Sequence, residues 1–360
     1  MSERAGLNQE QIRSILSLYH LDEPEVYREV DLGASSLAYR VLSGGTWYVL
    51  RLAERRRTFD MIFEKEVLVY LSRHGLAVPQ LVPNVAQGTF IPWSTRGRYV
   101  SLFADSPGRA LGMFEIRPKH VSRLAELLAK IHTVTLEFNR ERALDPDRER
   151  QAKLFSRLQQ AVEKGRIPRR VATDVALLEA EVHRQASMDA QKGHTGDDDD
   201  DDGRTDDDAV VDQPRCVLHG DLSIPSARFL HDELVGLVSF DQCHTGAPLE
   251  DIARVLTNWC WVPSVEQQGG PAGSFHPTRV NALLAGYEDV RPLSLFERNA
   301  LPEVLRRQTT YTAIERLVRF ELKRTKGQRF LDYRHPMQQL RAFLDGGAEN
   351  LLDQTHIQSA

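Results

Sequence analysis

A chain of 360 residues, 41% hydrophobic and 27% charged, has an ordinary soluble globular composition and the length for two domains or one large two-lobed fold. Its net charge of −5 supplies no electrostatic argument for nucleic acid or an anionic membrane surface, and no run approaches a membrane span. The three cysteines, Cys216, Cys243 and Cys260, are odd in number and in no metal-ligand spacing, which argues against a disulfide framework or a zinc site.

In the first hundred residues the pattern is mainly strand. Met1 is followed by no apolar signal core, so the cytoplasm is the expected compartment. Asn8 and Gln11 have the spacing of a capping box, and Ile12, Ile15, Leu16 and Tyr19 form a helical apolar face. Three strand-like runs follow, within 26–30, 37–42 and 46–52, the last two joined by the turn Ser43-Gly44-Gly45. The loop Leu32-Gly33-Ala34-Ser35-Ser36 has small residues whose amides and hydroxyls suit a phosphate, although a plain turn uses the same residues. Arg51 lies in the third strand; a lone strand arginine is ordinarily solvent-facing with an apolar stem. After a basic turn, Glu54–Arg57, a helix carries Ile62, Phe63, Glu66, Val67, Tyr70 and Leu71 and stops at His74-Gly75. Glu66 flanks its apolar face and could reach inward to a strand cation such as Arg51, although an exposed helical glutamate is the commoner case. A further strand, Tyr99–Ala104, runs into Asp105-Ser106-Pro107-Gly108, a hinge or boundary signal.

Beyond residue 105 the chain is mainly helical. Val121, Leu124, Leu127, Leu128 and Ile131 define an amphipathic helix. Further helical patterns fall at about 148–164, 171–186, 277–287, 295–300, 302–323 and 336–345. Residues 193–212 hold runs of aspartate at 197–202 and 206–208, which repel one another and lack apolar anchors, so a disordered acidic insertion is expected. A Ca²⁺ loop would need alternating ligands, a central glycine and a terminal glutamate, none of which is there.

The segment from Cys216 to Val255 reads as strand, turn, strand, turn, strand, loop and helix. It carries His219-Gly220-Asp221, then Val238-Ser239-Phe240-Asp241, then Asp251 in a helix that begins near Pro248. An acid just after a buried-looking strand suits a general base; the tripeptide by itself is more readily turn chemistry, the glycine allowing the bend and the aspartate capping it.

The order of these parts resembles the aminoglycoside phosphotransferase/choline kinase superfamily. It is most similar to the homoserine kinase-type members, through LTNWCW after the Asp251 helix, RYVSLF…SPGRAL, and the opening LGASSLAYRVLSGGTWYVLRL. The resemblance implies an α+β, two-lobed, protein-kinase-like fold. Residues 1–104 would be the nucleotide-binding lobe, with a small antiparallel sheet and one helix. Residues 105–360 would be the helical lobe, with its catalytic loop in 216–255. It further implies ATP and Mg²⁺ as cofactors and a hydroxyl of a small molecule as acceptor, with neither nucleic acid nor membrane as partner. Gly33, Ser35 and Ser36 would cover the phosphates, Arg51 would contact them while paired with Glu66, and Ser101 and Phe103 would lie in the strand that meets the base. Asp221 would be the catalytic carboxylate that orients or deprotonates the acceptor hydroxyl, with His219 and Asp251 structural at the site. Phosphoryl transfer needs positioning, charge neutralisation and a carboxylate at the nucleophile, which these residue types supply.

Two departures bear on the metal. Where the family has an asparagine ligand five residues after Asp221 this chain has Ser226, and where it has the principal metal carboxylate this chain has Ser239. Serine is a weaker ligand than carboxylate for a hard cation. Asp241 is the candidate substitute; in an extended strand it would share a face with position 239 but lie roughly 6.5 Å along. Two functions therefore stand side by side: an ATP-dependent small-molecule kinase, and a pseudokinase of the same fold serving as a binding module, with a protein partner. The acceptor, ATP against GTP, and the oligomeric state are left open by the residues.

Overall fold

The computed structural model describes residues 6–30, 36–54, 56–94, 97–142, 147–168, 171–192, 214–263, 273–322 and 333–347. The acidic run at 193–212 therefore lies outside the described residues, as do Gly33 and Ser35. Two compact units make up the chain: Met1–Arg142 with Cys216–Thr245 and Ala282–Arg291, and Ala143–Arg215 with Gly246–Asn281 and Pro292–Ala360. The expected division at residue 104 follows the change from strand to helix in the sequence. Compactness instead carries the first unit on to Arg142 and returns to it later in the chain.

In the first unit, α1 (Gln9–Ser17) opens with the capping box. The Asn8 side chain accepts from the Gln11 amide at 2.8 Å, and the Gln11 side chain accepts from the Asn8 amide at 3.0 Å. Strands β1 (Val26–Val30), β2 (Ser36–Ser43) and β3 (Thr46–Ala53) follow, then α2 (Thr58–Arg73), β4 (Ile91–Ser94) and β5 (Arg98–Ala104). They form an antiparallel sheet of order β1-β2-β3-β5-β4. Gly44 and Gly45, at φ of 53° and 70°, supply the two left-handed positions of the β2–β3 turn, which a side chain would resist.

Strand alternation sets up the site. Leu50 and Leu52 of β3 and Val100 and Leu102 of β5 join Ile12, Ile15 and Leu16 of α1 in one apolar cluster. Their neighbours Arg51, Ala53, Ser101 and Phe103 consequently lie on the opposite face. Ala53 there meets Met61 of α2 and Tyr99.

Helix α3 (Pro118–Val134) buries Val121, Leu124, Leu128 and Ile131 completely, each worth roughly 1.5–3 kcal/mol of apolar burial. Its end holds β6 (Cys216–Leu218) in place: the Thr135 hydroxyl donates to the Ile131 carbonyl at 2.7 Å and accepts from the Val217 amide at 3.0 Å. Strands β7 (Ala227–Leu230) and β8 (Glu233–Leu237) form a hairpin turned at His231.

The second unit is helical. Segments Asp147–Glu163, Ala172–Lys192, Leu295–Leu317 and Arg334–Ala342 share a core that includes Leu158, Val171, Leu178, Ile314, Leu317 and Leu340. The sequence divides 295–323 at Pro302, yet Leu295–Leu317 is one helix with Pro302 inside it. A proline within a helix forfeits one backbone hydrogen bond, and the helix continues past it with Leu301 and Leu305 buried on either side. The run after the Asp251 helix is a π-helical turn, Leu256–Cys260, with Trp259 fully buried. Among the described residues no helix is long and apolar enough to cross a membrane.

One buried ion pair in the first unit has a measurable consequence. Asp60 accepts from Arg142 Nε at 3.1 Å and from the Arg57 amide at 3.0 Å. Burial opposes the Asp60 charge, but the Arg57 hydrogen bonds and Arg142 outweigh it and hold the carboxyl below its ordinary value. That contribution is complete above the unfolded carboxyl range, about 3.9, and is lost as pH falls through the lower folded value. Asp60→Asn should destabilise by about 3–5 kcal/mol in urea titrations at pH 7. The gap to wild type should narrow below about pH 4, as the native carboxyl protonates.

Candidate functional site

The centre of the site is a buried ion pair. Arg51 Nη1 and Nη2 donate to the two carboxylate oxygens of Glu64 at 2.6 and 2.9 Å. The guanidinium also lies 4.9 Å from the centroid of the Phe103 ring. Phe103 is two residues beyond Ser101, the cross-strand partner of Arg51, so its ring projects from the same face. Burial works against the Arg51 charge, but Glu64 overcomes it and holds the guanidinium above its ordinary pKa. The acid that pairs with Arg51 is thus Glu64, and the expectation of Glu66 is corrected. Asp60, Met61, Phe63, Glu64, Val67, Leu68 and Leu71 are the buried residues of α2, and Glu66 is not among them. Position 66 is two residues from 64, about 200° around a helix of 3.6 residues per turn. Glu66 accordingly reaches out to Arg140, at 3.4 Å.

The loop bearing Asp221 is locked to the turn after β8. His219, fully buried, donates from Nε2 to the Val238 carbonyl at 2.9 Å and accepts at Nδ1 from the Asp221 amide at 3.3 Å. Those two partners fix its tautomer. Its ring centroid is 4.6 Å from that of Phe240. Gly220 takes φ +80°, and a Cβ there would stand 2.2 Å from the Gln242 carbonyl oxygen. Only glycine fits that close approach.

The chain does not continue as an extended strand from Val238 to Asp241. Ser239 is left-handed, at φ 68° and ψ 50°, and Phe240–Gln242 form a short 3₁₀ turn. The face-sharing geometry expected for positions 239 and 241 therefore gives way to a turn. Ser226 is buried; its hydroxyl donates to the Ser223 carbonyl at 2.6 Å, and its carbonyl accepts from the Val238 amide at 2.7 Å.

A cavity of about 560 Å³ gathers Ser36, Arg51, Glu64, Phe103, Ser239 and Asp241, and Arg228 and Asp105 also line it. Asp221, Ser226, Glu66 and Ser101 are not among its lining residues. Asp251, fully buried in the second unit, is 3.5 Å from Arg254 Nη1.

Three arginines at this site escaped the reading from residue patterns. Arg56 donates from Nη1 to the Asp241 carbonyl, and its Nη2 is 3.9 Å from Glu64. Arg142, beyond its pair with Asp60, donates to the Cys243 carbonyl. Arg228 makes no ion pair among the described residues. Burial lowers its pKa, with Asp105 opposing that and Arg40 adding to it. Asp105 is itself gripped by Arg40 at 2.7 Å. Arg228 had a signal in the sequence, being a cation in the otherwise apolar run Ala227-Arg228-Phe229-Leu230.

The donor set was weighed against a divalent cation. Mg²⁺ takes a near-octahedral oxygen shell, commonly one or two carboxylates with substrate phosphates. Ser226 and Ser239 offer neutral hydroxyls, and that of Ser226 is turned to Ser223. Asp241, whose Oδ2 accepts from Gln242 at 3.2 Å, has the Arg51 charge acting on it and the Arg56 guanidinium on its own carbonyl. Among the described residues no three acid, histidine or cysteine side chains converge to hold a metal. These residues do not fit a divalent cation.

The ion-pair assignment separates two neighbouring glutamates. Glu64→Gln leaves Arg51 buried without its counter-charge and should cost about 3–5 kcal/mol. Glu66→Gln, on the outer flank, should stay within about 0.5 kcal/mol of wild type. Urea denaturation of the two variants beside wild type reads the difference; equal losses would contradict the assignment.

Comparison with known proteins bears on the family and the fold. The family model for the phosphotransferase enzyme family matches residues 26–293. The homoserine kinase of Gluconacetobacter diazotrophicus is 28% identical over 310 residues, covering 85% of each chain. That of Pseudomonas aeruginosa is 26% identical over 332 residues, 89% of this chain and 90% of that one. Among solved structures, an amicoumacin kinase in complex with AMP-PNP and Ca²⁺ superposes with a TM-score of 0.65 at 17% identity, covering 97% and 94% of the two chains. A spectinomycin phosphotransferase in complex with ADP and spectinomycin gives 0.59 at 12% identity, covering 97% and 99%. The structural likeness is one of fold, and it makes the α+β fold kinase-like. With the family model spanning most of its length, the chain belongs to the phosphotransferase enzyme family.

Proposed function

We propose that the protein is a small-molecule kinase that transfers the γ-phosphoryl group of ATP to a hydroxyl of a small metabolite, a hydroxy amino acid such as homoserine or an aminoglycoside-like acceptor. The observation that carries this reading is the Arg51–Glu64 pair, bidentate and buried, lining one cavity with Ser36, Phe103, Ser239 and Asp241. Homoserine kinases among the relatives support the acceptor class. The first 104 residues would supply the nucleotide-binding elements, with Ser101 and Phe103 in the strand beside the base. Gly33, Ser35 and Ser36 would meet the phosphates. A reaction fed by ATP suits the cytoplasm.

In this reading the acceptor oxygen attacks the γ-phosphorus, the bond to the β–γ bridging oxygen breaks, and the hydroxyl proton passes to Asp221. Arg51, its two terminal nitrogens held by Glu64, would meet a phosphate oxygen through the Nε–H that has no hydrogen-bond partner in the fold. His219 keeps the Asp221 amide in place through its Nδ1, so the carboxylate is presented from a fixed backbone. Such positioning and charge stabilisation make up most of the catalysis in phosphoryl transfer. Asp251 would serve a structural role.

A second reading, a binding module of the same fold that does not transfer phosphate, rests on Ser226 and Ser239 at the two ligand-type positions. Incubation with ATP and a panel of amino alcohols, hydroxy amino acids and aminoglycosides separates the two. Transfer to one member, reduced about 10²–10⁴-fold in Asp221→Asn, is the expected result. No transfer across the panel, with nucleotide still bound, would favour the binding module.

A further inference from the structure

We infer that this chain binds its nucleotide without a divalent cation, the phosphate charge being met by arginine. The inference rests on reading the cavity as a nucleotide site. It goes beyond that reading in naming what neutralises the phosphates.

Three observations lead to it. Arg51 lines the cavity with its Nε buried and without a hydrogen-bond partner, its two terminal nitrogens being spent on Glu64. Arg56, bonded to the carbonyl of the lining residue Asp241, has both Nε and Nη2 buried without hydrogen-bond partners, Nη2 standing 3.9 Å from Glu64. Arg228 lines the same cavity and makes no ion pair among the described residues. Buried donors left unmade are costly and call for acceptors. A phosphate carries acceptor oxygens only, and it is the anion that guanidinium groups grip best.

The same residues disfavour a cation. The turn that would bring a metal-binding carboxylate into the cavity brings Ser239, left-handed and neutral. The next acid, Asp241, is held at its carbonyl by Arg56 and has the Arg51 charge acting on it. A divalent ion beside Asp241 would sit against two guanidiniums, and the other carboxylates of the lining, Glu64 and Asp105, are already paired with Arg51 and Arg40.

The test uses the full chain and the analogue AMP-PNP, titrated calorimetrically in EDTA and in Mg²⁺. The dissociation constants are expected to agree within about threefold, against tenfold per 1.4 kcal/mol for a real metal contribution. Binding that weakens tenfold or more in EDTA would overturn the inference while leaving the nucleotide site standing. No binding in either buffer would remove the nucleotide site itself, and the inference with it. Ser239→Asp supplies an independent readout, because aspartate tolerates the left-handed conformation better than most residues. That variant should gain at least tenfold in affinity from Mg²⁺; a variant as indifferent to Mg²⁺ as wild type would overturn the role given to Ser239. Thermal melting of the variant without ligand verifies that it folds.

Discussion

The bidentate contact between Arg51 and Glu64 organises the first unit around its cavity. Taking both charges out of water is expensive, and their attraction repays the cost only when the geometry is good and the pairing complete. Here the sheet and α2 supply that geometry. Arg51 occupies the face of β3 opposite the α1 core, and Glu64 is central in the buried stripe of α2. The pair therefore fixes helix against sheet, and Phe103 covers one face of the guanidinium. Neither residue can change alone without stranding a buried charge.

Much of this was legible in local sequence, where a few neighbouring residues decide the outcome. The Asn8–Gln11 box, the double glycine of the β2–β3 turn and the alternation of β3 all involve contacts within a few positions. The choice between Glu64 and Glu66 was not legible in that way. Helix α2 carries apolar residues on more than one side, with Ile62 and Val69 at 38% and 37% exposure, so periodicity alone does not define its inner stripe. The sheet it packs on does. Pro302 misled for the opposite reason: a strong local signal was overridden by a helix buried on both sides of it. Arg142 finds Asp60 82 residues away, and nothing near it in the chain announces that partner.

The candidate site divides along the same line. His219, Gly220 and Asp221 were visible as a compact motif, and their packing shows why: the histidine and glycine are consumed in holding one loop to another. Asp241 was visible as an acid, but its surroundings were not. The left-handed turn at Ser239 comes from no turn residue that sequence rules favour, and Arg56 reaches across 185 positions to the Asp241 carbonyl. A family pattern locates such positions, whereas the charges that gather around them depend on the whole fold.

The contact of Gly220 with Gln242 has a mechanical consequence. The backbones of the two loops meet with no room for even a methyl group between them, and His219 ties the same loop to Val238. The Asp221 loop and the 239–242 turn consequently behave as one stiff body. A displacement imposed on the turn, by a bound anion or by a change of side chain at 239, is passed to Asp221 with little damping. A substitution in the turn therefore bears on the backbone that presents Asp221 without touching the acid itself.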